Sequence, residues 1–158
     1  MTAIDPSSAR PFLARGATAE VLSGPQGSMQ LLVDGADCGG AVSAVRSRLA
    51  RDTQGATPHY HRKAAEMFFV IEGELEVLVG ETITTVRSGD FLVVPPHAVH
   101  AFRTPQTRGV DLLFLMPGAD RFGYFRLVDR LQRGLATPQE LLRTQEEFDN
   151  HFVASPAW

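Results

Sequence analysis

The sequence predicts an all-β single domain, a sandwich or barrel with helices appended at its C-terminal end. Three observations predict it. Residues 66–116 are a succession of short apolar runs separated by turn signals, the pattern of sandwiches and barrels rather than of alternating strands and helices. Helix-compatible spacing of apolar residues starts only after Pro117. The chain has 158 residues, the length of one ordinary domain, and 44% apolar residues, enough for a substantial core.

Taken in order, residues 1–10 are small and polar, with Pro6, Ser7 and Ser8, and are expected to be loosely held. Residues 17–22 and 29–33 read as strands around the turn Ser23-Gly24-Pro25-Gln26-Gly27. A Gly- and Asp-rich loop, 34–40, leads to residues 41–50, which alternate as a strand does, with Val42, Ala44, Arg46 and Arg48 on one face. Residues 51–58, with Gly55 and Pro58, form the approach to the histidines. Strands are then expected at 66–72, 75–79, 82–87, 91–94, 99–103 and 109–116. The breaks carry Gly73, Gly80-Glu81, Ser88-Gly89-Asp90, Pro95-Pro96 and Pro105. The run 66–72 is apolar on both faces, so its outer face needs a cover, from the N-terminal strands or a second subunit. Phe122, Phe125, Leu127, Val128 and Leu131 predict a helix within 119–133. Thr137-Pro138-Gln139-Glu140 reads as an N-cap, a proline at the first helical position and an acidic first turn, opening a second helix over 138–148. The core is placed at about 17–117 and the helical appendage at 118–150, within one domain spanning 1–158.

The formal charge of −3, without a basic stripe or tail, argues against nucleic acid or an anionic membrane as a partner. A single cysteine, Cys38, excludes an intrachain disulfide and fits a reducing compartment. No leader and no membrane-spanning stretch is read in the sequence, so a cytoplasmic protein is expected.

The chemistry is concentrated between Gly55 and His100. In a strand His59 and His61 project to the same side while Tyr60 points away. Glu66 opens the next strand and shares a face with Phe68 and Val70, and His100 arrives from a later strand. Three imidazoles and one carboxylate are the ligand types of a divalent transition metal: nickel, manganese, cobalt, iron, copper or zinc. Four such ligands leave two positions of a six-coordinate ion open for substrate. Phe68, Val70 and Phe102 share faces with these residues, as pocket walls or as plain core. Arg46 and Arg48 read as a solvated face, His97 as structural, His151 as solvated, and Cys38 as no catalytic thiol.

The residues carry a family resemblance. His59-Tyr60-His61, four residues, Glu66, six residues, Gly73 resembles the first cupin motif. Gly89, five residues, Pro95, then His100 resembles the second. The likeness is strongest over 55–104. It departs at Gly55, which sits two residues closer to the histidines than usual, at His97 in place of a glycine, and at Thr104 in place of an asparagine. The wording His-Tyr-His-Arg-Lys-Ala-Ala-Glu and Val-Pro-Pro-His-Ala-Val-His-Ala-Phe is most similar to small bacterial quercetin dioxygenase-like cupins. The resemblance implies a jelly-roll β-barrel, a homodimer, and a metal-dependent dioxygenase that cleaves a hydroxylated, flavonol-like aromatic with O2. Glu66 would be both ligand and the base that deprotonates a substrate hydroxyl. Two alternatives stay open: a non-oxidative isomerase, cyclase or dehydratase acting on a polyketide or similar molecule, and a cupin that binds a small molecule without turning it over.

Overall fold

The computed structural model describes residues 10–158; the expectation for 1–9 lies outside them. Ten antiparallel strands build the molecule: β1 (Glu20–Gly24), β2 (Gly27–Val33), β3 (Ser43–Leu49), β4 (Gln54–Tyr60), β5 (Glu66–Val79), β6 (Thr82–Arg87), β7 (Phe91–Val94), β8 (His100–Arg103), β9 (Val110–Met116) and β10 (His151–Phe152). Two helices follow β9, α1 (Phe122–Gln132) and α2 (Pro138–Arg143). The strands make two sheets joined through β5. Its first half pairs with β7 and β9, and its second half with β6 and β8. This is a jelly-roll arrangement.

β5 shows how the sequence makes the corner. Glu66, Phe68 and Val70 are buried, but beyond Gly73 the residues that join the core cluster are Leu75 and Val77, while Leu78 is buried outside that cluster. The inward face has changed from even to odd positions. A β-strand keeps its faces only while its register holds, and the pairing with β9 shifts between Val70 and Glu72. Gly73 absorbs the change with φ 88°. A Cβ there would also run into the carbonyl oxygen of Gly109 on the neighbouring strand. Gly73→Ala therefore combines a disfavoured φ with a backbone clash. It is expected to cost more than about 2 kcal/mol, read as a lowered urea midpoint. The sequence, read as two strands broken at Gly73, shows the same residues; the chain bends there without leaving the sheet.

Other boundaries differ for local reasons. Residues 16–18 form a 3-10 turn, so the first strand begins at Glu20 rather than 17. The approach to the histidines is β4, despite Gly55 and Pro58, because β8 and β10 pair with it on its two sides. α2 starts as expected, with Thr137 and Glu140 forming a reciprocal capping box. It stops at Arg143 rather than 148, where the Thr144 hydroxyl bonds back to the Leu141 carbonyl. The N-terminus of α1 is capped from far away in sequence: the Asp34 carboxylate accepts the backbone N–H of Arg121 and Phe122 at 2.6 and 3.2 Å.

The core runs through the barrel as Leu31, Val45, Phe68, Val70, Leu75, Val77, Leu112, Phe114 and Met116, and Phe125 of α1 closes it edge-on to Phe114. α1 lies along β1, tied by Arg126 to Glu20 and by Arg133 to the Ser23 carbonyl. On the opposite outer face, Phe69 and Ile71 of β5 and Phe91 and Val93 of β7 remain exposed. Among the described residues no helix is long and apolar enough to cross a membrane.

Candidate metal centre

Two strand pairs carry the candidate ligands to one place. His59 of β4 faces His100 of β8 across the ladder. His61 lies just past the end of β4, and Glu66 is the first residue of β5. The four side chains are buried to 4, 2, 2 and 1% exposure for His59, His61, Glu66 and His100. One ligating atom from each lies within 4.8 Å of all the others. One ion can touch all four at that spacing, since such metals hold nitrogen and oxygen ligands at about 2.0–2.2 Å.

Hydrogen bonding decides what those atoms present. Each imidazole has its Nδ1 against a backbone carbonyl: His59 against Thr57 at 2.8 Å, His61 against Asp149 at 2.6 Å, His100 against Ala98 at 2.9 Å. A carbonyl oxygen only accepts, so each Nδ1 carries the hydrogen and a neutral ring presents a lone pair at Nε2. The three Nε2 atoms converge on Oε2 of Glu66 at 3.8, 2.6 and 3.2 Å for His59, His61 and His100. Three lone pairs and a carboxylate facing one another repel unless something positive sits among them. Extra protons can serve, but a divalent cation suits all four donors at once. The donor set therefore fits the metal that the sequence suggests.

The same contacts set the charges. Burial alone would raise the Glu66 carboxyl, but the imidazoles, His100 foremost, hold it well below the usual carboxylate range. Burial pulls His59 below the ordinary imidazole value, and Glu66 only partly offsets it. For His100 burial works the same way, but the Glu66 carboxylate outweighs it and the net direction is upward. Glu66 is thus an anion, the form that ligates a cation.

Of the three expected pocket residues, Phe68 and Val70 are fully buried in the core. Phe102, two residues from His100, packs edge-on to Phe68 at 5.3 Å and lines a cavity of about 360 Å³ with Leu22, Met29, Leu49, Phe125 and Val128. Arg46 and Arg48 point outward from β3 and share Asp111 of β9 at 2.7 and 3.0 Å. The Arg46 guanidinium foremost holds the Asp111 carboxyl below its usual range. A depressed carboxylate stabilises the fold above its unfolded pKa, and that contribution is lost as pH falls through the folded value. Asp111→Asn is expected to cost roughly 1 kcal/mol at neutral pH. In urea titrations the gap to wild type should close as pH drops below about 4.

His97 is exposed and takes φ 68° while its backbone N–H bonds the His61 carbonyl at 2.6 Å. That left-handed conformation accounts for glycine being usual at this place. Tyr60 points away from the centre and stacks on His151. The expectation that His151 is solvated is overturned. It is buried at 6% exposure, because β10 pairs it with Tyr60 and the Asp149 carboxylate accepts from its Nε2 at 3.1 Å. The sequence reading also missed Asp149 and Arg121. The contribution of Asp149 to the centre is a backbone carbonyl, which no side-chain motif records. The one available signal was the ligand-type run Asp149-Asn150-His151.

Comparison with known proteins agrees with the fold. Residues 45–116 match the Cupin_2 family model, a cupin domain. None of the curated proteins matches the chain. Solved structures match its fold at low identity. An RmlC-like cupin from Shewanella frigidimarina NCIMB 400 is 23% identical, covering 73% of this chain and 96% of its own, with a TM-score of 0.55. The polyketide cyclase RemF from Streptomyces resistomycificus is 13% identical, covering 78% and 98%, with a TM-score of 0.58. Pac13 of Streptomyces, described as a unique nucleoside dehydratase, is 12% identical, covering 69% and 83%, with a TM-score of 0.54. The domain match and these neighbours support the cupin superfamily.

Proposed function

We propose that the chain is a metal-dependent cupin dioxygenase that cleaves a hydroxylated, flavonol-like aromatic with O2. One observation carries the metal-dependent part: three Nε2 lone pairs and the Glu66 carboxylate converge in a buried volume, with every Nδ1 already committed to a carbonyl. The oxygenase part rests on the resemblance to quercetin dioxygenase-like cupins in the run His59 to Glu66 and around His100. His59, His61, Glu66 and His100 would hold the ion. When bound, a divalent transition ion supplies Lewis-acid polarisation of an oxygen and, if redox-active, electron exchange with O2. The protein's own residues do the rest. Glu66, held as an anion, takes the proton of the substrate hydroxyl. The three carbonyls keep the imidazoles in one tautomer. Phe102 and the apolar side chains around its cavity would receive an aromatic body; none of the four ligands lines that cavity, and Phe102 is its link to His100, two residues away on β8.

A second reading, a non-oxidative cyclase or dehydratase, is favoured by a different observation: two of the fold neighbours are named for such reactions. The experiment is O2 uptake by protein of known metal content against a panel of hydroxylated aromatics. Uptake matched to substrate loss supports the dioxygenase; turnover that continues under argon supports the second reading. We also propose a homodimer covering the exposed Phe69, Ile71, Phe91 and Val93, tested by light scattering after gel filtration.

A further inference from the structure

The last strand is part of a strap, Phe148–Phe152, that closes the metal centre from behind. Asp149 holds it there three ways. Its carbonyl accepts from Nδ1 of His61 at 2.6 Å. Its carboxylate accepts the backbone N–H of Arg62 and Lys63, at 3.0 and 2.8 Å. These bonds keep that carboxyl below its usual range, against the effect of burial. β10 then pairs His151 with Tyr60 and Phe152 with His59.

Behind the strap lies Arg121, 2% exposed, the largest fully buried side chain among the described residues. Its Nη1 donates to the Phe148 carbonyl at 2.6 Å and its Nη2 to Oδ1 of Asn150 at 3.1 Å, the residues on either side of Asp149. Its Nε has no partner, and among the described residues it makes no direct ion pair; the carboxylates of Glu66, Asp149 and Asp34 act on it only at longer range. The guanidinium lies over the Tyr124 ring at 4.3 Å. That phenol, pushed up to about 12 chiefly by burial, stays neutral. A buried cation without a direct ion pair is costly. What this one secures is geometric: a planar fork that grips both flanks of one residue, which a lysine's point charge cannot do.

We propose that Arg121 is a positioning residue for the metal centre. Its fork fixes Asp149, and Asp149 fixes His61 in the tautomer that offers Nε2 to the ion. This rests on the metal reading above. Orienting partners of metal-binding histidines are worth about 10–100-fold in affinity.

The test measures Zn2+ affinity of the full chain by chelator competition in wild type, Asn150→Leu, Asn150→Asp and Arg121→Lys. Asn150→Asp keeps the accepting Oδ1 and should bind near wild type. Asn150→Leu and Arg121→Lys should bind about 10–100-fold more weakly. Variants that lose urea stability yet bind Zn2+ as wild type does would overturn the proposal, leaving Arg121 a purely structural clamp. Nitrogen-15 NMR of metal-free wild type gives a readout independent of any variant's folding. His61 should be the Nδ1–H tautomer, and an Nε2–H tautomer overturns the proposal outright. Wild-type protein that takes up no Zn2+ sinks the metal reading and this inference together; uptake that is the same in every variant sinks the inference alone.

Discussion

Glu66→Gln is expected to weaken metal binding more than 100-fold, beyond the range of orienting partners, while leaving the metal-free protein at least as stable as metal-free wild type. The two halves follow from the same contacts. Without metal, wild type holds an anionic Oε2 at 2.6 Å from Nε2 of His61 and 3.2 Å from that of His100. Neutral imidazoles whose Nδ1 carries the hydrogen have only lone pairs to offer there. A glutamine amide of the same shape brings N–H donors, so it satisfies those lone pairs and removes a buried charge. For an ion the exchange runs the other way, since a neutral amide replaces an anionic ligand. The opposite model makes the four residues a structural ion-pair network, with Glu66 accepting from protonated rings. In that case the substitution leaves charged donors unpaired and costs at least about 1–3 kcal/mol. Chelator competition and urea unfolding in the presence of EDTA separate the two models. A destabilised metal-free variant would mean that a proton bridges Glu66 and the rings when metal is absent, and unchanged metal affinity with it would count against a metal centre.

That test targets residues the sequence shows plainly, and the reason is strand periodicity. His59 and His61 alternate past Tyr60, and Glu66, Phe68 and Val70 share the inward face of β5. A period of two is legible without neighbours. The turns were legible for a related reason: Gly73, Gly80 and Gly89 all take positive φ, where glycine has no Cβ to pay for. What stayed hidden depends on pairing across the chain. The change of inward face after Gly73 comes from the shifted register with β9. β4 is a strand because β8 and β10 flank it, and His151 is buried because two residues of the C-terminal segment join that edge. Asp149 offers a carbonyl, and Arg121 is buried as a cation. Composition assigns both types to the surface, and only the fold shows where their partners lie.

Phe68→Ala is expected to be the most destabilising core substitution proposed for this chain, at about 3–5 kcal/mol in urea unfolding. Phe68 is 0% exposed. It stands edge-on to Phe102 at 5.3 Å and to Phe114 at 5.9 Å, and Phe114 meets Phe125 of α1 in the same way at 5.6 Å. Removing the ring breaks two edge-to-face contacts and leaves a hole walled by a two-sheet barrel, where collapse is limited. The loss should propagate to α1, whose only buried residue is Phe125. Phe102→Ala provides the contrast. Phe102 is half-buried at the edge of the 360 Å³ cavity, so solvent or substrate can fill the space its ring leaves, and the stability loss should be smaller, about 1–2 kcal/mol. Its effect should instead appear in KM for an aromatic substrate. Equal destabilisation by the two variants would mean that Phe102 is core as much as Phe68 is, and that the cavity beside it is not where substrate enters.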